Sequence, residues 1–87
     1  MHEAGLIRDL LHKISRLAAD EGADRVTRVG VWLGALSHIS AEHFREHFEN
    51  ETRGSVAEGA ELEVEVSDDV GHPQAQSILL RSIDVPE

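Results

Sequence analysis

Apolar residues recur at Leu6, Leu10, Ile14 and Leu17, flanked by Ile7, Leu11 and Ala18, with charged side chains between them. That spacing predicts an amphipathic helix from about Glu3 to Glu21, with Gly22 where a left-handed C-terminal cap belongs. The next stretch, ADRVTRVGVWLGAL, is rich in β-branched residues. In an extended chain Val29, Val31 and Leu33 share one face and Val26 and Trp32 the other, so a strand covered partly on both faces is expected.

Ser40 reads as a helix N-cap, with Ile39 before it and Phe44 placed to meet Ile39 in a hydrophobic staple. Phe44 and Phe48 carry the buried stripe of this second helix, and Gly54 lies just past its end. ELEVEV alternates, turning Leu62, Val64 and Val66 inward and Glu61, Glu63 and Glu65 outward. SDDVGHPQAQS (67–77) is a polar turn segment. In SILLRSIDV the apolar phase changes between Leu80 and Ile83, the mark of a bulged edge strand. The order α-β-α-β-β predicts an α+β domain over 1–87, two helices packed on a three-stranded mixed sheet. Its β-α-β portion should be parallel with a right-handed crossover. The short return at 67–77 suits antiparallel pairing of the last two strands.

Charge narrows the function classes. Eight basic against seventeen acidic side chains leave a net charge of −9. Nucleic acid and anionic membranes both call for basic patches and are disfavoured as partners. A small cation or a basic protein fits better. With no cysteine, disulfides, thiol nucleophiles and Cys-type zinc sites are excluded. No apolar run approaches the ~20 residues that span a bilayer. Glu3, Arg8 and Asp9 interrupt any signal-peptide pattern, so the cytoplasm is the expected compartment.

MHEAGL places His2 beside the Met1 amine. The amine, the His2 backbone nitrogen and the His2 imidazole can close fused chelate rings around one metal. The amide nitrogen must lose its proton to bind, which favours ions that reward a square-planar field, Cu(II) and Ni(II) rather than Zn or Mg. Glu3 can supply a fourth ligand through its amide nitrogen or its carboxylate. A following helix does not forbid this, because its first N–H groups lack intrahelical acceptors. Met1 should be retained, since a bulky second residue blocks its removal. The plain alternative is a solvated chain end in which Glu3 merely favours the helix start.

MHE followed by a leucine-rich helix resembles the HypA/HybF family of hydrogenase nickel-incorporation proteins. GADRVTRV (22–29), GALS (34–37), Phe48-Glu49, GSVAEGAEL (54–62) and LRSIDV (80–85) continue the likeness in the family's order. The resemblance implies a nickel metallochaperone, not an enzyme. It would hold Ni(II) at Met1, His2 and Glu3 and deliver it during maturation of a hydrogenase or urease. Its implied partners are a nickel-handling maturation GTPase and the nickel-enzyme large subunit. One departure is large: the family carries a zinc module built on two CxxC pairs between its last two strands, and here 67–77 fills that place without a cysteine. No structural zinc is expected, and functions tied to that module are in question. The alternative is a HypA-like adaptor that has lost metal delivery.

Other constellations carry less. HFREH (43–47) fits the H-x-x-E-H pattern of inverted zinc peptidases, so His43, Glu46 and His47 form a candidate hydrolase set. Such a site also needs a third ligand and a cleft; a solvated helix flank, or an adventitious second Ni or Zn site, is the simpler reading. His12, His38 and His72 read as surface residues, and Glu61, Glu63 and Glu65 as a solvated sheet face. Ser37, His38 and Ser40 lack an orienting acid and make no nucleophilic triad. No glycine-rich phosphate loop is present, so any GTP hydrolysis belongs to a partner.

Overall fold

The computed structural model describes residues 3–86, with side chains from residue 5 onward. Its elements are α1 (Glu3–Asp20), β1 (Arg28–Leu33), α2 (Ala41–Glu51), β2 (Glu61–Val66) and β3 (Ile78–Asp84), the expected α-β-α-β-β order. α1 ends as its glycine predicts. Gly22 takes φ 68°, Ala23 N–H donates to Ala18 O at 2.9 Å and Gly22 N–H to Ala19 O at 3.0 Å. This pair of bonds is a Schellman motif, open to glycine because it has no Cβ to clash.

β1 lies at the centre of the sheet, in the order β2-β1-β3. It pairs parallel with β2 and antiparallel with β3. The expected pairing of the last two strands is therefore wrong, because β3 joins β1 instead. β1 is apolar on both faces, and all its residues after Arg28 are buried, so its place is in the middle. The 67–77 connection passes across the end of β1 to reach the far edge. Ser67 N–H donates to Leu33 O at 2.9 Å as the connection leaves β2, and Gly34 N–H to Ser77 O at 2.9 Å as it enters β3.

The phase change in the last strand is a bulge. Gly30 pairs with Ser82 and Val31 with Leu80, leaving Arg81 as the extra residue. Val29, Val31 and Leu33 meet both helices in one core with Ile7, Leu10, Ile14, Ala18, Phe44 and Phe48. The stripe of α1 is turned slightly from its expected axis. Ile7 and Ala18 are fully buried, while Leu17 is 42% exposed, at a groove beside Ile83 and Val85. Val66, expected inward, is also exposed at the end of its edge strand.

The helices share a direction. The later residues Leu17, Asp20 and Glu21 at the end of α1 lie beside Ile83 and Val85, and the earlier Lys13 and Arg16 beside Leu79 and Leu80. Ile83 pairs with the start of β1 and Leu79 with its end, so α1 runs antiparallel to β1. α2 leaves from the end of β1, and the chain after it returns to the start, where Val26 N–H donates to Val56 O at 2.7 Å. Both helices therefore begin at the same end of the sheet.

Candidate metal centre

The sequence places its principal metal site at Met1, His2 and Glu3. Met1 and His2 lie outside the described residues, and Glu3 enters as the first residue of α1, its side chain not described. A helix starting at Glu3 leaves the N–H groups of its first turn without intrahelical acceptors. A backbone nitrogen used as a ligand there takes no bond from the helix.

α2 carries the second histidine cluster. Ser40 caps it with extended backbone (φ −79°, ψ 158°), its Oγ accepting from His43 N–H at 3.1 Å. Ile39 and Phe44 are both buried, completing the staple. At the other end buried Thr52 donates through Oγ1 to Phe48 O at 2.8 Å, and Ser55 Oγ to Thr52 O at 2.7 Å. With Phe44 and Phe48 fixed inward, residues 43 and 47 fall on the outer flank, one turn apart. Their rings meet: Nε2 of His43 and Nε2 of His47 lie 3.2 Å apart, and the ring centroids 4.8 Å.

Among the described residues no three His, Asp or Glu side chains lie together as a metal-holding group, so these residues supply no third ligand for the candidate hydrolase set. Arg45, between the two histidines, instead donates to Leu62 O on the β2 edge at 2.8 Å.

The acidic row is neutralised in part. Glu61, Glu63 and Glu65 share the sheet face away from the helices, in register with Arg28, Gly30 and Trp32. Arg28 reaches Glu61 at 2.9 Å, Glu63 at 3.7 Å and Asp84 at 3.8 Å. Arg81, the bulge residue, reaches Glu65 at 2.9 Å. These exposed pairs stabilise little, about 0–1 kcal/mol each.

His12 and His38 are exposed as expected. His72 is not a plain surface residue. Its ring packs against Trp32 at 4.9 Å between centroids, and its Nδ1 accepts from Gln74 N–H at 2.9 Å. The tilted ring contact sets the 67–77 connection against the outer face of β1, and the bond orients the His72 ring within it. In the sequence only its place in the 67–77 segment had marked His72; the contact with Trp32 depends on the β2-β1-β3 order.

The family profile described as "Hydrogenase/urease nickel incorporation, metallochaperone, hypA" matches residues 1–72. The hydrogenase maturation factor HypA of Escherichia coli (strain K12) is 42% identical over 65 residues, 75% of this chain and 56% of that protein. The factor of the same name from Acidithiobacillus ferrooxidans (strain ATCC 53993 / BNL-5-31) is 36% identical over 64 residues, 74% of this chain and 57% of its own length. The chain thus spans little more than half the length of the curated relatives it matches. In solved structures the fold is similar to that of the Ni metallochaperone HypA from Helicobacter pylori, with a TM-score of 0.82 at 20% identity. That match covers 98% of this chain and 97% of the other, and at that identity it speaks to the fold alone.

Proposed function

Because the chain belongs to the HypA family of hydrogenase/urease nickel-incorporation metallochaperones, we propose that it holds Ni(II) at Met1, His2 and Glu3 and hands it on. The observation that carries this reading is the span of the family match, which begins at residue 1 and so takes in all three residues. The chemistry supports it independently. An amine, a deprotonated amide and an imidazole in sequence make a strong in-plane field, and Glu3 closes the fourth position. α1 begins at Glu3, so the Glu3 backbone nitrogen has no intrahelical acceptor to lose. Glu3 and the deprotonated amide offset the positive end of the helix.

Nickel is the cargo in this account, and no catalytic step is assigned to the chain. Delivery runs to the large subunit of a nickel enzyme, with a nickel-handling GTPase supplying nucleotide hydrolysis. The whole chain acts as one nickel-binding domain, and its 67–77 connection stands where the family carries a zinc-binding module. Holding the ion therefore needs no structural zinc. No helix of the described residues is long and apolar enough to cross a membrane.

Titration with Ni(II), followed by absorbance, tests the site. Protein with Met1 as its first residue should bind one equivalent with a square-planar band, and His2→Ala should lose that band while keeping its circular dichroism. An unchanged band in His2→Ala places the nickel elsewhere. No binding by the parent favours the adaptor reading.

A further inference from the structure

A second metal site lies on α2. We propose that His43 and His47 chelate one divalent late first-row transition ion, of the Cu(II), Ni(II) and Zn(II) group, on the flank of α2. The Nε2 atoms are closer (3.2 Å) than the ring centroids (4.8 Å), so the rings converge on their Nε2 tips. A metal at about 2.0–2.1 Å from each nitrogen sees them at an angle of about 100°. That lies between the right angle of cis ligands in a square or octahedral site and the tetrahedral angle. The pair is thus spaced for chelation. With a metal bound, both rings take the Nδ1–H tautomer and both Nε2 lone pairs go to the ion.

The platform is rigid. Ser40 caps the helix three residues before His43, and Phe44 and Phe48, at 0% and 2% exposure, fix the opposite flank in the core. Charge favours a cation: α2 carries four glutamates, at 42, 46, 49 and 51, against one arginine, Arg45. The helix dipole opposes the ion with a charge of only about +0.5 at the N-terminus. His43 is exposed, so water can complete the coordination sphere. A histidine pair completed by water makes an exchangeable site, suited to taking up and releasing an ion rather than storing it. It sits on a helix that begins at the same end of the sheet as α1.

The test uses the full chain carrying His2→Ala, so that its outcome does not depend on the N-terminal reading. Zn(II) and Ni(II) are titrated in separate calorimetric experiments, and Zn(II) is followed by NMR of the imidazole C–H signals. One equivalent should bind, shifting His43 and His47 together. His43→Gln or His47→Gln should each weaken binding about tenfold or more, the loss expected when a chelate becomes a single contact. A variant with His47→Gln and Glu49→His keeps the histidine count but moves the second ring off the flank, and should bind as weakly as His47→Gln alone. The proposal is overturned if the single variants bind like the His2→Ala protein, if the relocated histidine restores binding, or if only one ring responds to Zn(II).

Discussion

Gly34→Ala should be among the most damaging single-methyl additions in the chain. Gly34 follows β1 and lies against the 67–77 connection where that segment crosses the sheet. A Cβ built on it would meet the carbonyl oxygen of Ala75, with Ala75 C at 2.5 Å and Gln74 O at 2.7 Å. All three atoms are backbone, so no side chain can swing aside. Relief requires the connection to lift, which stretches the bonds from Gly34 N–H to Ser77 O (2.9 Å) and from Leu36 N–H to Ala75 O (2.7 Å). Overpacking of this kind costs about 1–3 kcal/mol, and each weakened backbone bond about 0.5–1.5 kcal/mol. A total of about 3 kcal/mol lowers the melting temperature by about 12–24 °C for a domain of this size. The assay is thermal melting followed by circular dichroism and by the fluorescence of Trp32, the chain's one tryptophan, which reports the His72 contact. Gly5→Ala is the control: nothing lies within 4 Å of its added methyl, and in a helix the change stabilises by up to about 1 kcal/mol. A Gly34→Ala protein melting within about 2 °C of the parent would refute the view that 67–77 is a fitted closure of the sheet.

Smaller effects follow from the approach to α2. His38 holds φ 62° without being glycine, so His38→Gly should stabilise by about 0.5–1 kcal/mol, measured by urea unfolding. Ser40→Ala removes the cap on the His43 N–H and should cost about 1 kcal/mol in the same assay.

The fold was largely legible in the sequence, and the reasons are local. The spacing of Leu10 and Ile14, closed by Gly22, is enough to place α1, and Ser40 with Ile39 and Phe44 starts α2. The bulge at Arg81 was visible as a break in phase between Leu80 and Ile83. Strand order was not, because 67–77 is long enough to return beside β2 or to cross β1. The choice turns on burying both faces of β1, where Val31 is 1% and Trp32 8% exposed. Leu17 was misplaced for a related reason: helical spacing allows neighbouring stripes, and the neighbour that packs, β3, was assigned to the other strand. The donors proposed at Met1, His2 and Glu3 rest on their order in the chain, since Met1 and His2 lie outside the described residues. The His43–His47 contact was readable only as a spacing; its 3.2 Å separation comes from rotamers.

The central claim rests on the terminal amine, since His2 and Glu3 can bind a metal in other ways but only the amine closes the first chelate ring. One measurement isolates it: the Ni(II) absorption spectrum of the chain beginning at Met1, compared with the same chain acetylated at the Met1 amine. Acetylation leaves every side chain in place and removes only the amine as a ligand. The account predicts a square-planar band at one equivalent in the first protein and its disappearance in the second. The same band at the same stoichiometry in both would contradict it.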